Sequence, residues 1–206
     1  MTTRATPTPS TPAQVSSAPT RSTRTPQRST SDERREALIT AAIEAFAAFG
    51  LHGTAVSSIT NTVGITQPYA FSLFGSKKGL FLAAVHRSFD QLEELFQERA
   101  REVPREDRLC AIGQAYDDLL ATNPYLLRFH LQCFAASGDE EVRAVVRDRM
   151  RRLFDLVRRV AGVDDEAART FLGRGMLCIL TSALDLDVLA PGDASRLRDA
   201  VCVNHE

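Results

Sequence analysis

The chain has 206 residues, 44% of them apolar, and a formal net charge of −1, so it is long enough to bury a sizeable core and needs no cross-links to fold. Its four cysteines, Cys110, Cys133, Cys178 and Cys202, are far apart with no CxxC pair, which excludes a zinc-type spacing and a compact disulfide framework and points to a reducing, cytoplasmic setting. With no run of eighteen apolar residues and no apolar core at the N-terminus, neither a membrane partner nor secretion is expected.

The small net charge hides an asymmetry. The first 88 residues sum to +5 and the remainder to −6, so the N-terminal half suits a polyanionic partner. Residues 1–30 are rich in Thr, Pro, Ser, Ala and Arg, with one Val and no aromatic residue. Such a segment cannot offset its ordering entropy by burial and is expected to be a disordered basic tail.

Order is expected from Thr30-Ser31-Asp32-Glu33, which has capping-box spacing. Leu38, Ile39, Ala42, Ile43, Phe46 and Phe49 then recur at helical spacing up to Gly50. A short second helix follows, apolar at Val56, Ile59 and Val63, with Gly64 as a left-handed stop. After Gly64-Ile65-Thr66 a third helix begins. Thr66 is the expected cap, Pro68 sits in the first turn, Ala70, Leu73 and Phe74 form the inward face, and Gln67, Tyr69 and Ser72 face outward. Two short helices joined by a tight turn are a helix-turn-helix, the second helix of which is shaped for the DNA major groove.

Ser76 is placed to cap a fourth helix with the stripe Leu80, Phe81, Val85, Phe89, Leu92, Leu95 and Phe96, running to about residue 102. Beyond Pro104, residues 106–121 predict a fifth helix. A sixth begins at Asn123-Pro124 and ends at Ser137-Gly138. From Asp139 to Gly162, acids in the first turn and arginines near the end predict a seventh. The eighth, from about Asp164 to Leu189, turns strongly apolar after Met176, more than a thin domain can cover, and a second copy of the chain is a natural cover.

Eight helices in this order, with Phe46, Gly50, Thr54, Ile59 and the run GITQPYAFSLFGSKKGLF from Gly64 to Phe81, resemble the TetR family of bacterial transcriptional regulators. The resemblance implies an all-α protein with a helix-turn-helix DNA-binding domain over residues 31–76 and a helical effector-binding and dimerisation domain over 77–206. It also implies a homodimer on double-stranded DNA, and a repressor released by a small apolar effector. Ala55, Thr60, Val63 and Phe71 depart from the family pattern, which keeps open an alternative: a helical ligand-binding or interaction module with weak or lost DNA binding.

The candidate DNA-contacting residues are Thr54, Ser57, Thr66, Gln67, Pro68, Tyr69, Ser72, Lys77 and Lys78. Gln67 can pair in bidentate fashion with adenine, and Tyr69 offers a ring to a thymine methyl. Ser57 and Thr66 begin helices whose free N–H groups attract phosphate. Lys77 and Lys78, the only lysines in the chain, add charge beside them. A candidate ligand pocket is expected from Phe89, Leu92, Phe96, Tyr116, Phe129, His130, Cys133 and Phe134, with His130 and Tyr116 as polar anchors. No glycine loop for phosphate, no GxSxG elbow and no metal-spaced cluster is present, so neither an enzyme nor a cofactor is expected.

Overall fold

The computed structural model describes residues 31–184 and 186. The tail expected over 1–30, Thr30 of the capping box, Cys202 and the end of the last helix at Leu189 lie outside the described residues. Within them the chain forms eight α-helices: α1 (Ser31–Gly53), α2 (Val56–Val63), α3 (Gln67–Phe74), α4 (Lys77–Glu102), α5 (Arg108–Thr122), α6 (Pro124–Ala135), α7 (Glu140–Ala161) and α8 (Asp165–Ala183). Single 3-10 turns, Arg105–Asp107 and Ala136–Gly138, precede α5 and α7. The expected fifth helix therefore opens with a tighter turn and enters α geometry only at Arg108.

Local chemistry accounts for most of these boundaries. Gly64 adopts φ 71°, ψ 34°, while its N–H donates to Asn61 O and that of Ile65 to Thr60 O, a Schellman ending for α2. The Ser76 hydroxyl accepts from Gly79 N and starts α4. Asn123, Asp139 and Asp164 cap α6, α7 and α8 in the same way, and Gly162 at φ 69° closes α7.

Three expectations are corrected. Thr66 precedes α3 with extended backbone, but its side chain makes no capping hydrogen bond. Pro68 in the first turn already removes one of the N–H groups a cap would serve. The first helix does not stop at Gly50. The backbone breaks there, at φ 67° and ψ 178°, and then completes one further turn to Gly53. Phe49, adjacent to that break, is 68% exposed rather than part of the apolar stripe.

One contiguous core runs from Leu38 in α1 to Ile179 in α8. α1 packs on α6 and α4, α4 on α5 and α7, and α8 on α5, α6 and α7. Near the first three helices, Phe46 of α1 meets Phe81 of α4 edge-on at 5.0 Å, and Phe81 meets Phe129 of α6 at 5.4 Å. All three rings are fully buried, each contributing about 1.5–3 kcal/mol. Farther along α4, Phe96 packs on Tyr116 of α5 and Phe171 of α8 at 6.1 and 5.8 Å. A single rigid helix thus joins two aromatic clusters, one under the helix-turn-helix and one deep among the C-terminal helices.

Candidate nucleic-acid interface and internal cavity

α3 packs on α2 and α4, with the buried Ala70 and the half-buried Phe74 joined to the core and the half-buried Leu73 lining a surface groove beside Arg35 and Ile39. The Arg35 guanidinium lies 5.2 Å from the Phe74 ring centroid, so α1 also steadies the helix. Gln67, Pro68, Phe71 and Ser72 are left exposed. Positions 67 and 71, and 68 and 72, lie four apart, so these residues form one outward face. Tyr69 is half-buried, lining a surface groove with Arg34, Gly64, Ile65 and Thr66. Ser72 Oγ donates to Tyr69 O at 2.7 Å and keeps its lone pairs for an outside donor.

Two residues of this face escaped the sequence reading. Phe71, noted in the sequence only as a departure from the family pattern, is 40% exposed and presents an apolar ring beside Gln67. Arg34 reaches the groove from α1, a non-local approach that no local motif announces.

Other candidate contacts face inward. Thr54 is 3% exposed, and its hydroxyl donates to Gly50 O at 2.7 Å and Ala45 O at 3.2 Å, so it secures the last turn of α1 and has no hydroxyl to offer a phosphate. Lys77 Nζ donates to His52 O and Thr54 O, both at 3.1 Å, and closes the end of α1. Lys78 Nζ pairs with Glu141 Oε2 at 2.7 Å and Asp139 Oδ2 at 3.3 Å. Hydrogen bonds from Glu141 and then Asp139 raise the Lys78 pKa above its usual value. The N–H of Val142 is foremost in holding the Asp139 carboxyl below its own, with Lys78 adding to the effect. Both ammonium groups are already held by protein acceptors. Ser57 is half-buried at the start of α2, and its carbonyl accepts from the buried Thr60 hydroxyl, which gives that departure from the family pattern a partner inside the helix.

Between α4, α5, α6, α7 and α8 lies a cavity of about 40 Å³. Phe89, Leu92, Phe96, Tyr116, His130 and Phe134 of the expected set line it. Phe129 and Cys133 do not. Phe129 belongs to the aromatic cluster under α1, and Cys133 is buried away from the cavity, its thiol pKa raised by that burial. The sequence reading missed the opposite wall: Met150 and Leu153 from α7, and Phe171, Leu172, Gly175, Met176 and Ile179 from α8. Inward helical positions look alike in sequence whether they meet another side chain or a void.

Two lining side chains carry hydrogen-bonding groups, Tyr116 and His130. Burial raises the Tyr116 phenol pKa and lowers that of the His130 imidazole to about 4, so both are neutral near pH 7. Arg149 lies with its guanidinium 5.7 Å from the Phe89 ring centroid and is paired with Asp90 and Glu93 of α4. Among the described residues no cluster of three or more His, Cys, Asp or Glu could hold a metal, and no helix is long and apolar enough to cross a membrane.

A short helix with an exposed face, propped on two helices and rooted in a larger helical body, defines a helix-turn-helix protein. Residues 38–84 match the family described as "Bacterial regulatory proteins, tetR family", which supports a DNA-binding regulator of that type. The chain is 27% identical over 142 residues, 67% of its own length, to the HTH-type transcriptional activator FasR of Mycolicibacterium smegmatis, and the match spans 65% of that relative. In fold it is similar to the transcriptional regulator FadR of Bacillus subtilis solved in complex with stearoyl-CoA (TM-score 0.68, 18% identity, 81% of this chain and 94% of that one). It is also similar to a TetR family member of Streptomyces coelicolor A3 (TM-score 0.66, 18% identity, 82% and 96%).

Proposed function

We propose that the chain is a cytoplasmic, homodimeric repressor that reads a palindromic operator with α3 and lets go when a small apolar effector enters the cavity. The observation that carries this reading is the continuity of α4. Phe81 anchors it beneath α1, and Phe89, Leu92 and Phe96 of the same helix form one wall of the cavity. A ligand that widens the cavity must push on α4, and any tilt of α4 moves α3, which packs on its first turns. The ligand regulates only if it binds the tilted and untilted states with different affinity.

At the operator, Gln67, Tyr69, Phe71 and Ser72 would meet base edges, with Pro68 against the sugar-phosphate wall. The starts of α2 and α3 at Ser57 and Thr66 would receive phosphates. Half-sites about 34–36 Å apart, or a multiple of that, match a two-fold protein. Leu177, Leu180 and Leu184 expose one apolar face at the end of α8, a surface a second copy would cover. The stearoyl-CoA bound by the Bacillus subtilis relative is far larger than this cavity, so an acyl ligand would enter only by parting the helices that line it.

Because the Mycolicibacterium smegmatis relative is named an activator, the sign of regulation is the part to measure first. Run-off transcription from the protein's own promoter region, with and without the purified full chain, should show reduced transcript. An increase would make the protein an activator. No change, together with no DNA binding, would favour the ligand-module alternative.

A further inference from the structure

We infer that the ligand of this cavity carries one uncharged oxygen, a hydroxyl or a carbonyl, which hydrogen-bonds to His130 Nε2, and that ligands presenting a charged group there are rejected. The inference rests on the effector reading above and names the chemistry that reading left open.

His130 is 3% exposed, and its Nε2 has no hydrogen-bond partner among the described residues. Leaving such an atom buried and unpaired is unfavourable, so it marks a place where something outside the chain completes the bond. The ring is fixed against Phe89, with centroids 5.1 Å apart, and it borders the cavity. A resident water is a poor solution. Buried waters typically hold about three polar partners, and among the described residues this cavity offers the side chains of His130 and Tyr116 alone, the bare minimum of two, in an otherwise apolar wall.

Charge is excluded by the same wall. Among the described residues no Lys, Arg, Asp or Glu lines the cavity. Arg149, whose guanidinium lies over the Phe89 ring, is committed to Asp90 and Glu93. A carboxylate inside would have no counter-ion, and an imidazole held neutral by burial supplies none. A hydroxyl suits either imidazole tautomer and a carbonyl suits the one protonated at Nε2, so both fit.

Three probes of equal chain length test this: 1-octanol, octanoate and octane, titrated at pH 7.5 into the full chain and into His130→Phe. Octanol should bind the wild-type protein at least tenfold more tightly than octanoate. His130→Phe should weaken octanol about tenfold, the scale of one buried hydrogen bond, and leave octane unweakened. In the wild type, octanol and not octane should shift the His130 Nε2 nitrogen resonance, a readout that stands even if the variant folds poorly. His130→Gln should recover part of the octanol affinity. Octanol binding unaffected by His130→Phe with no resonance shift, or octanoate binding as tightly as octanol, would overturn the inference and leave the cavity as an apolar site. If none of the three binds, the effector reading itself fails.

Discussion

Lys78 Nζ lies 2.7 Å from Glu141 Oε2, which ties the first turn of α4 to the first turn of α7 across a sequence separation of more than sixty residues. Since α3 packs on the start of α4, loss of this pair is expected to loosen the support of the reading helix. Lys78→Ala is expected to weaken operator binding about threefold or more while leaving its salt dependence unchanged. Glu141→Gln should act in the same direction, and Lys78→Ala should add little in that background. Fluorescence anisotropy at several salt concentrations checks this. A phosphate contact by Lys78 would instead lower the salt slope by about one unit, and Glu141→Gln would then tighten binding.

Gly50 is the second determinant of reader geometry. Its φ of 67° with ψ of 178° is a region essentially reserved for glycine, and a Cβ there would come 2.7 Å from Gln132 Oε1. Gly50→Ala should cost about 1–3 kcal/mol in denaturant unfolding. Adding Gln132→Ala should recover only the steric part, because the side chain can move and the backbone strain cannot.

Much of the fold was legible from periodicity and glycine stops. The α7 boundaries follow from Asp139 and Gly162, and the α2 ending from Gly64, because capping and left-handed stops are local. What sequence could not show was where long side chains turn. Lys77 and Lys78 look like phosphate ligands from their place in the motif, yet they serve acceptors that folding brings from α1 and α7. Phe129 and His130 are neighbours in sequence but face different clusters, one the Phe46 and Phe81 rings and the other the cavity. Half of the cavity wall comes from α7 and α8, whose inward positions carry no signal beyond apolarity.

His130 makes stability depend on pH with a definite sign. In the unfolded chain it binds a proton near 6.5, and in the folded protein only near 4. Protonation between these values therefore favours unfolding. Above about pH 6.5 the group has no effect, and stability is lost as pH falls through the window, by at most about 1.4 kcal/mol per pH unit. The pH slope of chemical unfolding in His130→Phe should be shallower than wild type between pH 6 and 4.5. Identical slopes would mean that His130 is solvated.

Leu177 and Leu180 on α8 and Leu184 just beyond its end lie three and four residues apart and are 38%, 45% and 62% exposed. If a second copy covers them, Leu180→Asp should shift sedimentation from dimer to monomer and cost operator affinity far more than it costs Tm. A variant that stays dimeric would move the interface elsewhere.

Reading by α3 is tested most directly by gel-shift titration of wild type and Gln67→Ala on the protein's own promoter DNA at two salt concentrations. The account predicts a complex of two chains whose affinity falls steeply with salt. It also predicts that Gln67→Ala loses about 1–3 kcal/mol on the preferred sequence and little on scrambled DNA. Binding that ignores salt, involves a single chain, or is unchanged by Gln67→Ala on both sequences would contradict it.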